Sequence, residues 1–185
     1  MLRTILVPLD GSELSKTVLG PLRRLISPAS TGRLEHLGSA RRSGRLGPQV
    51  VLLHVVVEQS GAGETEFFSA QRWLEDLRQD LELHGQLACV RVVRGDPVEG
   101  ITACAAELGA DLVAMATHGR TGAARLLLGS VAEGVLRRCA APLLLVNPHT
   151  LRTASASAPL RRVLLAHDGS GASDEVAPIL SLIHI

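Results

Sequence analysis

The sequence predicts an α/β protein, a three-layer α/β/α domain doubly wound on a five-stranded parallel sheet. Three observations carry this. Five short apolar runs alternate with longer stretches of helical spacing. The runs are apolar on both faces, as strands covered by helices on each side must be. The core material is aliphatic: 46% of the 185 residues are hydrophobic and 2% aromatic. Strands separated by helices require right-handed parallel crossovers, and these stack into layers.

The first strand is Ile5-Leu6-Val7-Pro8-Leu9, ended by the turn residues Asp10-Gly11-Ser12. Ser12 is a good N-cap, with Glu13 near the positive end of a helix that should run to about Ile26. Pro21 is an awkward interior residue and predicts a kink there. Residues 27–49 hold Arg33, Arg41, Arg42 and Arg45 against one acid, Glu35, in a Gly- and Ser-rich setting. The segment is expected to be a solvated, flexible basic insertion, because such a composition cannot bury enough apolar surface to order itself; a basic contact surface for a partner is the other reading.

Gln49 to Val57 is the clearest strand. His54 within it is either a ligand or base, or a hydrogen-bonded core histidine, and the second is favoured. Glu64 to Leu83 has helical spacing, with Phe67, Trp73, Leu74, Leu77 and Leu81 as its core stripe. Leu87 to Val93 is the third strand. Asp96 and Pro97 open the next helix as N-cap and first residue, and Gly109 ends it. Asp111 to Ala116 is the fourth strand. A glycine-punctuated loop leads to a helix at about Ser130 to Cys139, and Leu143 to Val146 is the fifth strand.

Residues 150–160 read as a linker rich in Ser, Thr, Ala and Pro. Beyond it, Arg162-Val163-Leu164-Leu165-Ala166-His167-Asp168-Gly169-Ser170 echoes Thr4 to Ser12, so residues 161–185 are expected to start a second copy of the domain, cut short. The last six residues, 180–185, match the translation of a sequencing-transposon end, and are expected to be adapter sequence.

A net charge of +1 gives no electrostatic reason to expect nucleic acid or a membrane surface as partner. No run approaches the roughly 18 apolar residues of a membrane span. Cys89, Cys104 and Cys139 show neither C-x-x-C nor metal-ligand spacing, which suits buried thiols in a reducing, cytoplasmic setting. Walker, G-x-G-x-x-G and G-x-S-x-G motifs do not occur, and no nucleophile–base pair stands out.

Two loops fall where a doubly wound sheet binds ligands, at the carboxyl ends of its strands. One is Asp10-Gly11-Ser12. The other runs from Thr117-His118-Gly119-Arg120-Thr121-Gly122 to Gly129-Ser130. Glycines allow close backbone approach, and a helix starting at Ser130 offers free N–H groups to a phosphate. Asp10 can accept from a ribose or an adenine amine. Equally, Gly119, Gly122 and Gly129 can simply shape a tight loop, with Ser130 as a helix cap.

The motifs Val7-Pro8-Leu9-Asp10-Gly11-Ser12, Leu52-Leu53-His54-Val55, Gly95-Asp96-Pro97, Ala116-Thr117-His118-Gly119 followed nine residues later by Gly129-Ser130, and Ala141-Pro142-Leu143-Leu144-Leu145-Val146 together resemble the universal stress protein family. The resemblance covers residues 3–147 apart from the insertion, and restarts at 161. It implies an adenine nucleotide alpha hydrolase-like sheet of order 3-2-1-4-5 and a universal stress protein domain over 1–149. It implies ATP, with Mg²⁺ as its companion, held by Pro8, Leu9, Asp10, Val55, Met115, Ala116, His118, Gly119, Arg120, Gly129, Ser130 and Val131. Any chemistry would be at most slow hydrolysis or self-phosphorylation. The family signature has glycine where this chain has Ala116, and a residue that can be polar where it has Leu9. The alternative is therefore a dimeric scaffold that binds no nucleotide. In either case the resemblance implies pairing through Leu143–Val146, with a second chain or with the second copy.

Overall fold

In the computed structural model the described residues are 2–26, 47–57, 63–117, 128–148 and Leu164. The expected basic insertion up to residue 46, the linker, the second copy apart from Leu164, the terminal six residues, and the loop positions His118, Gly119, Arg120 and Gly122 lie outside them.

Strand β1 (Thr4–Pro8) is completely buried from Ile5 onward. Beyond it come α1 (Glu13–Lys16), α2 (Leu19–Ile26) and β2 (Gln49–Val56). Then follow α3 (Gly63–Leu83), β3 (Ala88–Arg94), α4 (Pro97–Leu108), β4 (Leu112–Ala116), α5 (Ser130–Arg138) and β5 (Leu143–Val146). The sheet has five parallel strands in the order β3-β2-β1-β4-β5. Each strand therefore lies where the family resemblance put it.

Two separate cores follow from strand alternation. Ile5, Val7, Leu9, Leu52 and Ala114 point to one face and meet Leu19 and Leu22 of α2 and Leu74 and Leu81 of α3. Leu6, Leu53, Val113 and Met115 point to the other and meet Ile101 and Cys104 of α4 and Ala132 and Val135 of α5. Each fully buried aliphatic side chain here contributes about 1.5–3 kcal/mol. The winding reverses direction between β1 and β4, and doubly wound sheets in general take ligands in the crevice at such a point.

The expected single helix from Ser12 to Ile26 is two helices, and the break precedes Pro21. A proline ring clashes with the carbonyl four residues back and lacks the N–H that would bond it. For Pro21 that carbonyl belongs to Thr17, and the chain turns at Thr17 and Val18, closed by Thr17 N–H and Oγ1 donating to Leu14 O. Helix α2 then resumes with Pro21 in its first turn, where a missing N–H has no cost.

Other expectations hold. Ser12 caps α1, accepting from Ser15 N–H at 3.1 Å. Asp96 caps α4, accepting from Val98 and Glu99 N–H at 2.9 and 3.0 Å, and Gly109 ends it at φ 55°. Phe67 is a correction: it is only half-buried, stands outside the α3 core stripe and lies under the Arg94 guanidinium, whose carbon is 5.1 Å from the ring centre.

Candidate functional site

The exit from β1 is a rigid turn. Gly11 has φ 85°, a left-handed value that a side chain disfavours. Oδ1 of Asp10 accepts from Ser12 N–H at 2.9 Å and from Ser12 Oγ at 2.6 Å, which holds the carboxylate at the strand end. Just before it, Leu9 N–H donates to Leu53 O at 2.8 Å. His54 Nδ1 donates to Leu9 O at 2.7 Å, and its ring stands edge-on to Trp73 at 5.6 Å. His54 is thus a core histidine that ties β2 to the end of β1, the reading favoured from sequence.

The exit from β4 is tied just as firmly. Thr117 is buried, and its N–H donates to Val146 O at 2.8 Å. Its carbonyl accepts from Gly129 N–H at 2.7 Å. The start of α5 is therefore pinned to the end of β4. Gly129, not Ser130, is the N-cap, and it supplies no side-chain bond. The first intrahelical bond runs from Glu133 N–H to Gly129 O, so the N–H groups of Ser130, Val131 and Ala132 have no intrahelical acceptor. Ser130 is exposed at the first helical position.

The remaining expected site residues divide by face. Met115, Val55 and Val131 all belong to the core that faces α4 and α5, Val55 and Met115 near the carboxyl ends of β2 and β4 and Val131 in the first turn of α5. Leu9 turns its side chain into the opposite core, and both its backbone groups are bonded. Pro8 is buried in β1. Ala116 pairs with Val146 and, by alternation, shares the face of Ala114. Its side chain is buried at the end of the strand. Among the described residues no group of three His, Cys, Asp or Glu side chains is placed to hold a metal ion.

Sequence reasoning missed two contributors. Thr117 was visible only as a loop residue; its place directly after an apolar strand was the available signal. Gly134 had none. A Cβ there would lie 2.6 Å from Val98 Cγ2, so this glycine sets how closely α5 approaches α4.

The universal stress protein family matches residues 1–147 of the chain. Two curated relatives come from Methanocaldococcus jannaschii. Universal stress protein MJ0577 is 35% identical over 78 residues, 42% of this chain and 48% of that protein. Universal stress protein MJ0531 is 37% identical over 77 residues, 42% of this chain and 45% of that one. The aligned stretch thus spans about half the length of the curated relatives it matches. The solved structure of the hypothetical protein MJ0577 is similar at TM-score 0.64 and 27% identity, covering 80% of this chain and 96% of that one. A universal stress protein solved in complex with cAMP has the same fold, at TM-score 0.52 and 22% identity over 80% of this chain and 98% of that one. With the family match running through all five strands and both pinned turns, the chain belongs to the universal stress protein family.

Proposed function

We propose that the chain is an ATP-binding regulator of a stress response, cytoplasmic, and at most a slow hydrolase or self-phosphorylating protein. One observation carries the reading. At the point where strand order reverses, α5 begins with N–H groups that have no intrahelical acceptor, and its start is fixed to β4 by the Thr117–Gly129 bond. Such a terminus favours a phosphate through hydrogen bonds and the helix dipole.

The residues present fit the nucleotide. Gly129 brings no side chain to the cradle, and the Ser130 hydroxyl adds a donor. Asp10 stands on the adjacent strand end for a ribose or adenine amine, and Val55, Met115 and Val131 supply apolar surface for the base. His118, Gly119 and Arg120 complete the set by family resemblance. ATP, with Mg²⁺ as its counter-ion, would supply the charge that these donors answer. No described helix is long and apolar enough to cross a membrane.

The test is calorimetric titration of Mg-ATP into the full chain. Binding in the micromolar range is expected. Ser130→Ala should weaken it about ten- to 150-fold, since a hydrogen bond to a charged group contributes about 1.5–3 kcal/mol. A folded sample that takes up no ATP at millimolar concentration refutes the reading.

A second reading is a dimeric scaffold. Strand β5 is the outermost strand on the β4 side, and Leu143, Leu144 and Leu145 are only half-buried. An apolar edge of this kind pairs readily with another chain or with a second copy in the same chain. Light scattering that finds a stable monomer counts against pairing between chains.

A further inference from the structure

The ladder between β1 and β2 stops one rung early, at the carboxyl end of the sheet. Along a parallel strand successive residues direct their N–H and C=O groups to opposite neighbours. Val50 N–H donates to Leu87 O and Gly95 N–H donates to Val56 O, so the even-numbered residues of β2 face β3. The odd-numbered ones face β1: Gln49 N–H donates to Arg3 O, and Leu53 O accepts from Leu9 N–H at 2.8 Å. The next rung of such a ladder is Val55 N–H on Leu9 O.

That rung is absent. The pairing ends at Pro8 and Leu53, and Leu9 O accepts instead from His54 Nδ1 at 2.7 Å. A carbonyl only accepts, so the imidazole carries its proton on Nδ1. The ring is buried and held edge-on to Trp73, which fixes the direction of that donor. The carbonyl that β1 offers to β2 is thus taken by a side chain of β2 itself. Val55 is half-buried, and its N–H has no acceptor among the described residues. Backbone donors away from water are nearly always paired, so an open one calls for an occupant. This one faces the gap past the end of β1, where the Asp10 turn begins.

We propose that His54 is a positioning residue: by occupying Leu9 O it keeps Val55 N–H out of the β1–β2 ladder and open to a ring nitrogen of the nucleotide base. The identity of that acceptor rests on the nucleotide reading; the break in the ladder does not. A purine ring nitrogen carries its lone pair in the ring plane and suits a single N–H at a strand end. The histidine touches no ligand and acts only through Leu9 and Val55.

Amide hydrogen exchange, read residue by residue by NMR on the full chain without ligand, tests the break. Val55 N–H should be protected about tenfold less, or lower still, than Leu53 N–H inside the ladder. His54→Leu frees Leu9 O, so Val55 N–H should close on it and gain about tenfold in protection. A merely structural loss does the reverse, since a destabilised domain exchanges faster throughout. His54→Asn keeps a donor at the δ position and should keep the native pattern. If His54→Leu does not fold, His54→Phe, which keeps a ring against Trp73, takes its place. In native protein saturating Mg-ATP should protect Val55. Its affinity should fall about two- to tenfold in His54→Leu, the worth of one hydrogen bond, and recover in His54→Asn.

The proposal is overturned if native Val55 is as protected as Leu53, or if the folded donorless variant leaves or lowers its protection. It falls alone if calorimetry shows Mg-ATP bound while Val55 gains no protection. If no Mg-ATP binds at all, the nucleotide reading fails and the freed N–H loses its occupant, while the exchange pattern still reports whether His54 breaks the ladder.

Discussion

Replacing Gly134 with alanine should destabilise the domain although alanine is the better helix former. The added Cβ would meet Val98 Cγ2 at 2.6 Å, Val98 Cγ1 at 3.1 Å and Val98 Cβ at 3.4 Å. Carbon atoms rest at about 3.5–4.0 Å, so α5 and α4 must part by about 1 Å. Overpacking of that kind costs about 1–3 kcal/mol, against about 1 kcal/mol gained in helix propensity. The expected net loss is about 0–2 kcal/mol, centred near 1, read as a fall in Tm of about 2–4 °C at the centre. Val98→Ala removes both γ-carbons, and in that background Gly134→Ala should become stabilising by about 0.5–1 kcal/mol. Urea denaturation of the four proteins measures the coupling. Additive effects, within about 0.5 kcal/mol, would refute the claim that this contact sets the helix spacing. Because α5 carries the proposed phosphate donors, Mg-ATP affinity should fall with Gly134→Ala and return with Val98→Ala.

Three further outcomes are expected. Asp111 Oδ2 accepts from Arg3 N–H at 2.7 Å and Thr4 N–H at 2.9 Å, fastening the start of β1; Asp111→Ala should cost about 2 kcal/mol in urea denaturation, and Asp111→Asn, which keeps an acceptor, less than half of that. His54→Leu strips the donor from Leu9 O and should cost about 1–3 kcal/mol by the same assay, with loss of the Trp73 contact seen in tryptophan emission. Burial pushes the Cys89 and Cys104 thiols above the ordinary thiol range, and for Cys104 this outweighs the opposing pull of Arg91. A group raised in the folded state lends stability below its unfolded value and loses it as pH climbs through the folded one. Urea midpoints should therefore fall above about pH 8.5, and iodoacetamide at pH 8 should label both thiols slowly until the chain unfolds.

The central strands were legible because parallel strands buried on both faces leave aliphatic runs such as Val50 to Leu53, and the edge strands because short apolar runs such as Leu143 to Val146 stand between helical stretches. Caps were legible where a side chain does the work, as at Ser12 and Asp96. They were not where backbone does it: Gly129 caps α5 without a side chain, so Ser130 looked like the cap. The interruption after α1 was visible as Pro21 but misplaced by a turn, since proline disturbs the residue four before it. Pattern alone left His54 undecided, and only the approach of Leu9 O settles it. Strand order came from family resemblance. Contacts between remote segments, Asp111 on Arg3 or Gly134 on Val98, leave no mark on local spacing.

Thr117 is also a pivot. Its carbonyl holds the first turn of α5 through Gly129, and its amide grips the last residue of the outermost strand through Val146. The two groups belong to successive peptide planes that meet at the Thr117 Cα, just past the end of β4. A displacement of the helix start would thereby reach, through a single residue, the outermost strand of the sheet. Thr117 itself is buried, so solvent does not compete for either bond.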